Sequence, residues 1–410
     1  MYVTHVALDD FRSYRHVVVE LAPGVTVFTG PNGQGKTNFV EAIAYLSTLS
    51  SHRVGADTAL VRATANPPHP GGAVIRAKLV RGGRERILEI EIISGKANRA
   101  RVNRAAVAPK ELPGQVRTVT FSPEDLSLVR SEPGVRRRFL DEGLTQLNPS
   151  YGALKSEHDK IVRQRGALLK QLKYGADEYA QSTLEVWNQK LAEVAAQVII
   201  ARANLVEQLR GPAQAAHEHV SEGARQLELQ YVAAIDSIIP PPTDSEESRE
   251  ELTNRLLQAM ELKRKDEISR GVNLVGAHRD DLEIGLDHLP VRGYASHGES
   301  WSVALALRLG MFAVLGGQDE DASQRPILIL DDVFAELDAG RREALGRLVS
   351  GAEQVLITAA VPEDLPESLH ATQLRVRRDD EEGTQIGEGV ELGSKAEAEG
   401  VNEDGTESGS

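Results

Sequence analysis

"GPNGQGKT", residues Gly30–Thr37, is the segment of this sequence that predicts the fold most directly. It matches the phosphate-loop pattern G-x-x-x-x-G-K-[ST] at every fixed position. β-Forming residues precede it at Val25–Thr29, and a helical pattern follows at Lys36–Leu49. This order of strand, glycine turn and helix is the context that a phosphate-binding loop requires. The sequence therefore predicts an α/β nucleotide-binding fold.

The residues of this loop have separate predicted roles toward ATP and Mg²⁺. Glycines let backbone N–H groups wrap the phosphates, Lys36 neutralises the β and γ charges, and the hydroxyl of Thr37 ligates the metal. The predicted ATP-binding residues of the loop are Gly30, Pro31, Asn32, Gly33, Gln34, Gly35, Lys36 and Thr37.

Length and composition narrow the class of protein. A chain of 410 residues fits two or three domains. The absence of cysteine excludes disulfides, thiolate zinc sites and cysteine nucleophiles. The opening "MYVTHVAL" reads as a strand, not as a leader, and the longest apolar stretch, 303–317, is too short to span a bilayer. We therefore expect a cytoplasmic location.

Strand and helix patterns divide the chain into two α/β parts and a helical part between them. The segments from "AVIRAKLV" to "RARVNRAAV" predict an antiparallel β-meander, and strand signals stop at Leu126. Between Trp187 and Leu205 apolar residues repeat at spacings of four and three, which predicts a coiled-coil seam in an antiparallel helical arm. Strands and helices then alternate again, so both α/β parts are expected to complete one sheet.

The C-terminus is strongly acidic. Residues 379–410 hold eleven acidic residues and one lysine, in a chain whose net charge is -14. Such a segment has too few large apolar residues to form a core, so a disordered acidic tail is predicted.

A second motif, "ILILDD" at Ile327–Asp332, is an apolar strand that ends in two carboxylates. Asp331 is predicted to hold the magnesium through water, and Asp332 to orient or deprotonate the attacking water. Together with Lys36, Asp332 is the candidate catalytic residue, while Thr37 and Asp331 are the candidate metal ligands.

A third motif, "SHGES" at Ser296–Ser300, begins a helical pattern. Free N–H groups and the positive end of a helix dipole at this turn predict a second anion site. Ordinary N-capping by a serine is the alternative interpretation.

The order of these motifs, followed by "ELD" at Glu336–Asp338, resembles that of ABC-type ATPases. Within that superfamily the chain resembles the RecF family of bacterial recombination-repair proteins over residues 1 to about 375. The segments that carry the resemblance are "FRSYRHVVVEL", "TFSPEDLSLVRSEPGVRRRFLD", "GAHRDDLEI", "YASHGESWSVALALRLG" and "LILDDVFAELD".

The resemblance implies an architecture. Residues 1–125 and 272–375 would form an ABC-type ATPase head with a P-loop sheet and an antiparallel β-subdomain. Residues 126–271 would form a helical arm domain with a short antiparallel coiled coil, and residues 376–410 the disordered acidic tail.

The resemblance also implies a function. Two chains would clasp ATP, with the P-loop of one facing Ser296, Gly298 and Glu299 of the other, so that ATP acts as a dimerising switch. The homodimer would bind single-stranded DNA and gapped or duplex-junction DNA. With RecR and RecO as partners it would promote RecA loading and the SOS response.

Three positions depart from the wider ABC pattern. The carboxylate that is usually glutamate is Asp332, Ser122 stands in place of the Q-loop glutamine, and Ala359 stands near the switch histidine. Poorer positioning of water predicts a slow, DNA-stimulated ATPase.

Two questions remain open at this stage. DNA contact has three candidate basic clusters, any of which can also be a solvated face: Arg99, Arg101 and Arg104; Arg136, Arg137 and Arg138; Lys263, Arg264 and Lys265. The alternative functions are an SMC-like chromosome-organising ATPase, for which the arm is short, and the nucleotide-binding subunit of a transporter, which the inserted arm disfavours.

Overall fold

The computed structural model describes residues 1–51, 53–63, 71–175, 178–221, 225–235, 244–317, 325–349, 351–366, 368–379 and 383–392. In these ranges the chain forms a large mixed sheet with a hydrophobic core on each face, and a small antiparallel sheet. The α/β class predicted from the sequence is confirmed.

Fifteen strands lie in the described part of the chain. Twelve belong to the large sheet: β1 (Tyr2–Phe11), β2 (Tyr14–Glu20), β3 (Gly24–Thr29), β4 (Gly72–Arg81), β5 (Arg84–Ile93), β6 (Arg99–Val102), β7 (Ala105–Val107), β8 (Thr118–Phe121), β12 (Ile327–Asp331), β13 (Gln354–Ala359), β14 (Ala371–Asp379) and β15 (Gly383–Leu392). The small sheet contains β9 (Leu227–Val232), β10 (Asp281–Leu286) and β11 (Leu289–Pro290).

The large sheet has a parallel half and an antiparallel half. Its strand order is β7-β6-β5-β4-β1-β2-β15-β14-β3-β13-β12-β8. Strands β14, β3, β13, β12 and β8 pair in parallel. Strands β4, β5, β6 and β7 pair successively antiparallel, as the predicted meander requires.

The parallel half is buried on both faces. Along β12, Ile327 and Ile329 lie in one core, whereas Leu328 and Leu330 lie in the other. Because a strand alternates its side chains, burial on both faces demands the unbroken apolar run that the sequence shows.

Nine helices occur in the described residues: α1 (Lys36–Thr48), α2 (Leu126–Arg130), α3 (Pro133–Leu147), α4 (Pro149–Lys173), α5 (Glu178–Val220), α6 (Glu246–Arg270), α7 (Val291–Tyr294), α8 (His297–Gly316) and α9 (Ala339–Val349). Helix α1 packs on one face of the parallel half. Helices α5 and α8 contribute to the core on the other face.

The helical arm consists of α4, α5 and α6, which pack against one another. Leu191, Val194, Val198 and Leu205 of the predicted seam are buried. Helix α5 also packs along α8, so the arm and the head share one hydrophobic core.

One strand lies inside the region that the sequence predicts to be helical. Strand β9 pairs with β10, which comes from the second α/β part, so the small sheet joins the two regions. Its side chains Leu227, Leu229 and Tyr231 are buried in strict alternation. That period of two was present in "LELQYV" and would have identified the strand.

The predicted disorder of residues 376–410 is wrong for the part that the structure describes. Residues 376–379 belong to β14, and β15 occupies 383–392. Strand β15 pairs with β14 and also meets β2 at Gly383 and Tyr14. Composition misled because a strand inside a sheet is held by backbone hydrogen bonds, which do not depend on apolar side chains. Residues 393–410 lie outside the described residues.

In the described part of the chain, α8 is the only helix long and apolar enough to cross a membrane. Of its apolar window, 67% is buried inside the protein. Its apolar side chains are therefore accounted for by packing in the core.

Candidate nucleotide-binding site

The candidate site lies where four neighbouring parallel strands end. Strand β3 runs into the phosphate loop after Thr29, which pairs with Ala359 of β13. On β12, Asp331 pairs with Thr358 of β13. The residue before Asp331 pairs with the last residue of β8, so Ser122, which directly follows β8, lies at the same edge of the sheet. The carboxyl ends of parallel strands are where such sheets bind ligands.

The side chain of Lys36 folds back over the phosphate loop. It is only 5% exposed. Its ammonium group donates hydrogen bonds to the carbonyl oxygens of Gly30 at 2.5 Å and Pro31 at 3.2 Å and to the side-chain oxygen of Asn32 at 3.4 Å. The loop therefore places a positive charge at its own centre, where the phosphates of a nucleotide would lie.

Two carboxylates at the end of β12 act on this ammonium group. Burial lowers the pKa of Lys36, and the nearby charges of Asp332 and Asp331 oppose that shift. The structure thus brings together Lys36, Asp331 and Asp332, which the sequence had assigned to one site.

The candidate metal ligands are in direct contact. The hydroxyl of Thr37 donates to Oδ1 of Asp331 at 2.9 Å, across 294 residues of sequence. The hydroxyl of Thr358 donates to the same oxygen at 2.6 Å, and Asp331 is 3% exposed. A hydroxyl beside a carboxylate is a set of hard oxygen donors that suits Mg²⁺.

These two side chains would not suffice to hold a metal without a nucleotide. Among the described residues, no group of three or more histidine, aspartate or glutamate side chains is arranged to bind a metal ion. Magnesium usually completes its six ligands with phosphate oxygens and water. The donor set therefore fits Mg²⁺ bound together with ATP.

Asp332 has an unusual backbone conformation. Its φ is 56°, in the left-handed region, which costs a residue other than glycine about 1 kcal/mol. The backbone N–H of Asp332 donates to the hydroxyl of Thr358 at 2.9 Å. One threonine thus fixes both candidate carboxylate residues, and sequence reasoning missed it.

The C-terminal strands contact the phosphate loop directly. The side-chain oxygen of Gln34 accepts from the backbone N–H of Arg378 at 2.6 Å, and its carbonyl accepts from the hydroxyl of Thr384 at 2.9 Å. At Gly35, whose φ is 109°, an added Cβ would lie 2.6 Å from the hydroxyl of Ser13. These supports were missed because 378 and 384 fall in the stretch predicted to be disordered.

The helix that begins with the third motif is capped by its own residues. The hydroxyl of Ser296 accepts from the backbone N–H of Glu299 at 3.2 Å, and the carboxylate of Glu299 accepts from the backbone N–H of Ser296 at 2.8 Å. The capping interpretation is therefore realised in this chain. Hydrogen bonds from Ser296, and then from Arg225, lower the pKa of Glu299, so its carboxylate remains charged.

The same turn packs against the start of α9 and against the segment that precedes β9. An added Cβ at Gly298 would lie 3.1 Å from Nη1 of Arg341, in the first turn of α9. Arg225 donates to Glu299 at 2.9 Å and to Asp287 at 2.9 Å. Neither arginine was singled out from the sequence, because both contacts join segments that lie far apart along the chain.

The two halves of the predicted site are not joined within one chain. Ser296 is exposed. Within the residues that the structure describes, no hydrogen bond links 296–299 to the loop at 30–37.

The three basic clusters differ in how far they are committed to other contacts. Arg136 is buried and forms two hydrogen bonds of 2.7 Å with Asp281, so it holds the fold together. Arg101 pairs with Glu89, and in the third cluster Arg264 pairs with Glu261 at 3.3 Å. Arg138 is exposed.

The position of the Q-loop glutamine is occupied by a buried cap. Ser122 is 2% exposed, and its backbone N–H donates to Asp125 at 2.9 Å. Asp125 in turn forms an ion pair of 2.6 Å with Arg308 of α8. This chain therefore uses the position to connect the sheet to the helix of the third motif.

Comparison with known proteins agrees with this architecture. Residues 2–382 match the family model of the RecF/RecN/SMC N terminal domain. The DNA replication and repair protein RecF of Beutenbergia cavernae is 50% identical over 393 residues, covering 92% of this chain and 98% of that protein. RecF of Kineococcus radiotolerans is 49% identical, and the match covers 90% of this chain and 95% of that protein.

Solved structures give the same result. The solved structure of the recombination mediator protein RecF-ATPrS in the RecFOR pathway is similar to this chain, with a TM-score of 0.78 and 26% sequence identity. The similarity covers 91% of this chain and 95% of that chain. The SMC head bound to the C-winged helix domain of ScpA has a TM-score of 0.51 at 15% identity, covering 96% and 98%, and is similar in fold alone. The chain belongs to the RecF family of DNA replication and repair proteins.

Proposed function

We propose that this chain is an ATP-dependent recombination mediator that binds DNA and serves recombinational repair and replication. Two findings support the proposal. Its relatives of about half identical sequence are DNA replication and repair proteins. The similar solved structures are of RecF-ATPrS and RecF-ATP in the RecFOR pathway.

The observation that carries the nucleotide part of the proposal is the contact between Thr37 and Asp331. It joins the phosphate loop to the end of β12, as a bound Mg²⁺ would require. ATP would lie over the loop, with Lys36 against its phosphates and Asp332 positioned toward the attacking water. Because Asp332 is one methylene shorter than glutamate, we expect hydrolysis to be slow and to be stimulated by DNA.

The exposed turn at Ser296 supports an ATP-induced homodimer. A helix N-terminus presents N–H groups and a positive dipole to an anion. Since this turn makes no hydrogen bond to its own phosphate loop in the described residues, the γ-phosphate of a partner chain is the anion it would meet. ATP then favours the dimer because the dimer alone offers both half-sites.

DNA and mediator proteins complete the proposal. The dimer would bind single-stranded DNA and gaps or duplex junctions, mainly through phosphates, and RecO and RecR would be its partners. The consequence would be RecA loading and SOS induction, in the cytoplasm.

The SMC-like alternative has weaker support. Helices α4 and α6 have 25 residues each, and a helix of that length spans only about 38 Å. Such an arm is too short to encircle DNA. The similarity to SMC heads concerns the fold alone.

Sedimentation velocity tests the dimer. We expect the unmodified chain to dimerise with ATP, and Lys36→Ala and Ser296→Arg to remain monomeric. Ser269→Arg, on an exposed position of α6, makes the same change away from the site and should dimerise normally. If Ser296→Arg dimerised with ATP as readily as this control, the proposed sandwich would be refuted.

A further inference from the structure

A cavity of about 470 Å³ lies at the junction of the head and the arm. Its wall is formed by the end of α1, by α3, α4 and α5, and by the turn that precedes β10. We call it the junction cavity. The side chains that carry its chemistry are Arg137, Arg138, Lys155, His158, Arg202 and His278.

Two histidines in this wall have ring nitrogens without partners. His158 is 0% exposed, and its Nε2 has no hydrogen-bond partner among the described residues. Neither ring nitrogen of His278 has a partner at hydrogen-bond geometry, although the backbone of Asn273 lies close enough to raise the pKa of the ring, whose centre lies 6.0 Å from that of His158. A buried polar group that is left without a partner destabilises the fold. Native structures seldom keep such groups without a reason, and a ligand is one such reason.

The surroundings of the two rings differ. Nδ1 of His158 lies 3.2 Å from a carboxylate oxygen of Asp159 and carries the hydrogen of that contact, whereas Nε2 is left without a partner. Burial, and then the neighbouring His158, lower the pKa of His278 to about 3, so that ring is neutral near pH 7. A ligand that fits both rings must therefore be able to donate a hydrogen bond as well as accept one.

The charges around the cavity favour an anion. Of the carboxylates in the wall, Asp141 accepts two hydrogen bonds from Arg202, at 2.8 and 2.9 Å, and Asp159 accepts one from Lys155 at 2.5 Å. Burial raises the pKa of Glu142, although the charge of Arg308 lowers it, so its negative charge is weakened.

Two arginines of the wall form no ion pair among the described residues, although the charge of Arg138 acts on Glu142 and lowers its pKa. Arg137 uses one nitrogen to donate to the carbonyl oxygen of Asp280 at 2.6 Å. Arg138 is exposed at the rim. Gly134, in the first turn of the 15-residue helix α3, also lines the cavity, and the positive end of that helix adds to the attraction for an anion.

We propose that the junction cavity binds a phosphate group, between the guanidinium groups of Arg137 and Arg138 and above the rings of His158 and His278. Hydrogen phosphate and phosphate monoesters carry oxygens that accept from arginine and, near neutral pH, a hydroxyl that donates to an imidazole lone pair. Sulfate has no such hydroxyl. The cavity should therefore prefer phosphate to sulfate, although the two anions have the same size and shape.

This site is separate from the candidate nucleotide site. Helix α1 begins at the phosphate loop with Lys36 and ends at Thr48, which lines the junction cavity. Its 13 residues span about 20 Å. The inference does not depend on the proposed nucleotide switch.

Histidine-ring NMR of the full chain tests the proposal. The Lys36→Ala background removes phosphate binding at the P-loop, and phosphate or sulfate is then titrated at constant ionic strength. Signals of His158 and His278, among eleven histidines, are assigned by single substitution to glutamine. We expect both to shift with phosphate, and sulfate to bind at least about tenfold more weakly, since one lost hydrogen bond costs about 1.4 kcal/mol.

Charge reversal at the rim provides the decisive variant. Arg138→Glu changes an exposed side chain and should weaken phosphate binding by about tenfold or more. Arg163→Glu is the matched control, since it changes an exposed arginine of α4 outside the cavity wall. The proposal is overturned if phosphate shifts neither ring, if sulfate binds as tightly, or if both reversals have equal effects.

The source of the phosphate group is tested with oligonucleotides. Shifts produced by a 5′-phosphorylated strand but not by its 5′-hydroxyl counterpart would assign the site to a DNA end. Shifts produced by inorganic phosphate and by neither strand would assign it to a free phosphate or small monoester. Either result supports a phosphate-binding cavity.

Discussion

The arm is predicted to depend on one buried ion pair. Arg165 of α4 is 1% exposed and Glu267 of α6 is 0% exposed, and their side chains meet at 2.5 and 3.1 Å. Arg165 also donates to Asn188 of α5 at 2.8 Å and to Asn273 at 2.7 Å. The pair thus joins all three arm helices. Glu267→Gln keeps the shape of the side chain and removes the charge.

The expected loss of stability is about 3–5 kcal/mol, because an unpaired guanidinium would remain in a buried site. An exposed pair gives the contrast. Asp244 meets Arg249 at 2.6 Å, but the two side chains are 60% and 46% exposed. For Asp244→Asn, which makes the same chemical change, we expect a loss of less than about 1 kcal/mol.

Urea unfolding followed by tryptophan fluorescence measures the difference. The chain has two tryptophans, and Trp187 precedes Asn188 of the buried network. Replacing Trp301 with phenylalanine in every variant leaves Trp187 as the reporter of the arm. The double variant Arg165→Met, Glu267→Leu should lower the free energy of unfolding by less than the sum of the two single substitutions, because it leaves no unpaired charge. A loss below about 1 kcal/mol for Glu267→Gln, equal to that of the control, would refute the reasoning.

Three further predictions concern the head and the junction cavity. Thr358→Val removes a donor to Asp331 and should weaken Mg²⁺-dependent ATP binding by about tenfold, measured by titration calorimetry with and without the metal. Gly35→Ala should abolish ATP binding, since the new Cβ meets a neighbouring hydroxyl at 2.6 Å. The Cβ added by Gly33→Ala would have no atom within 4 Å. This substitution should therefore lower stability only by the backbone strain at a φ of 81°, about 1 kcal/mol. The depressed pKa of His278 means that, as pH falls below about 6.5, the unfolded chain binds a proton that the folded chain does not bind. Stability should therefore fall with pH through this residue, and thermal unfolding of His278→Gln between pH 7 and 5 should show a shallower loss.

The sequence predicted strands β3 and β12 of the parallel half because their signals are local, whereas β8 was not predicted and the end of β14 was assigned to the disordered tail. The phosphate loop, its flanking strand and helix, and the apolar strand ending in Asp331 are each encoded within a few residues. The antiparallel β-meander could also be predicted, since apolar and polar residues alternate along its strands and the strands follow one another directly. The register that brings Thr37 within 2.9 Å of Asp331 follows from the parallel order of the strands, which topology rules favour.

The supports of the site could not be predicted in this way. Thr358, Thr384 and Arg225 act through hydrogen bonds to residues distant in sequence, and no local pattern marks a threonine or arginine for such a contact. The strand β9 is a different case, because its alternation was visible and a helical context outweighed it.

The position of β15 shows why composition alone misleads. Low hydrophobicity indicates that a segment cannot fold by itself. It does not indicate whether the segment can add a strand to a sheet that other segments have formed. Without β15, strands β14 and β2 would expose two unpaired edges beside the phosphate loop, and unpaired edges carry unsatisfied backbone groups. Because β15 fills that gap and Thr384 bonds to Gln34, the C-terminal strand belongs to the framework of the candidate nucleotide site.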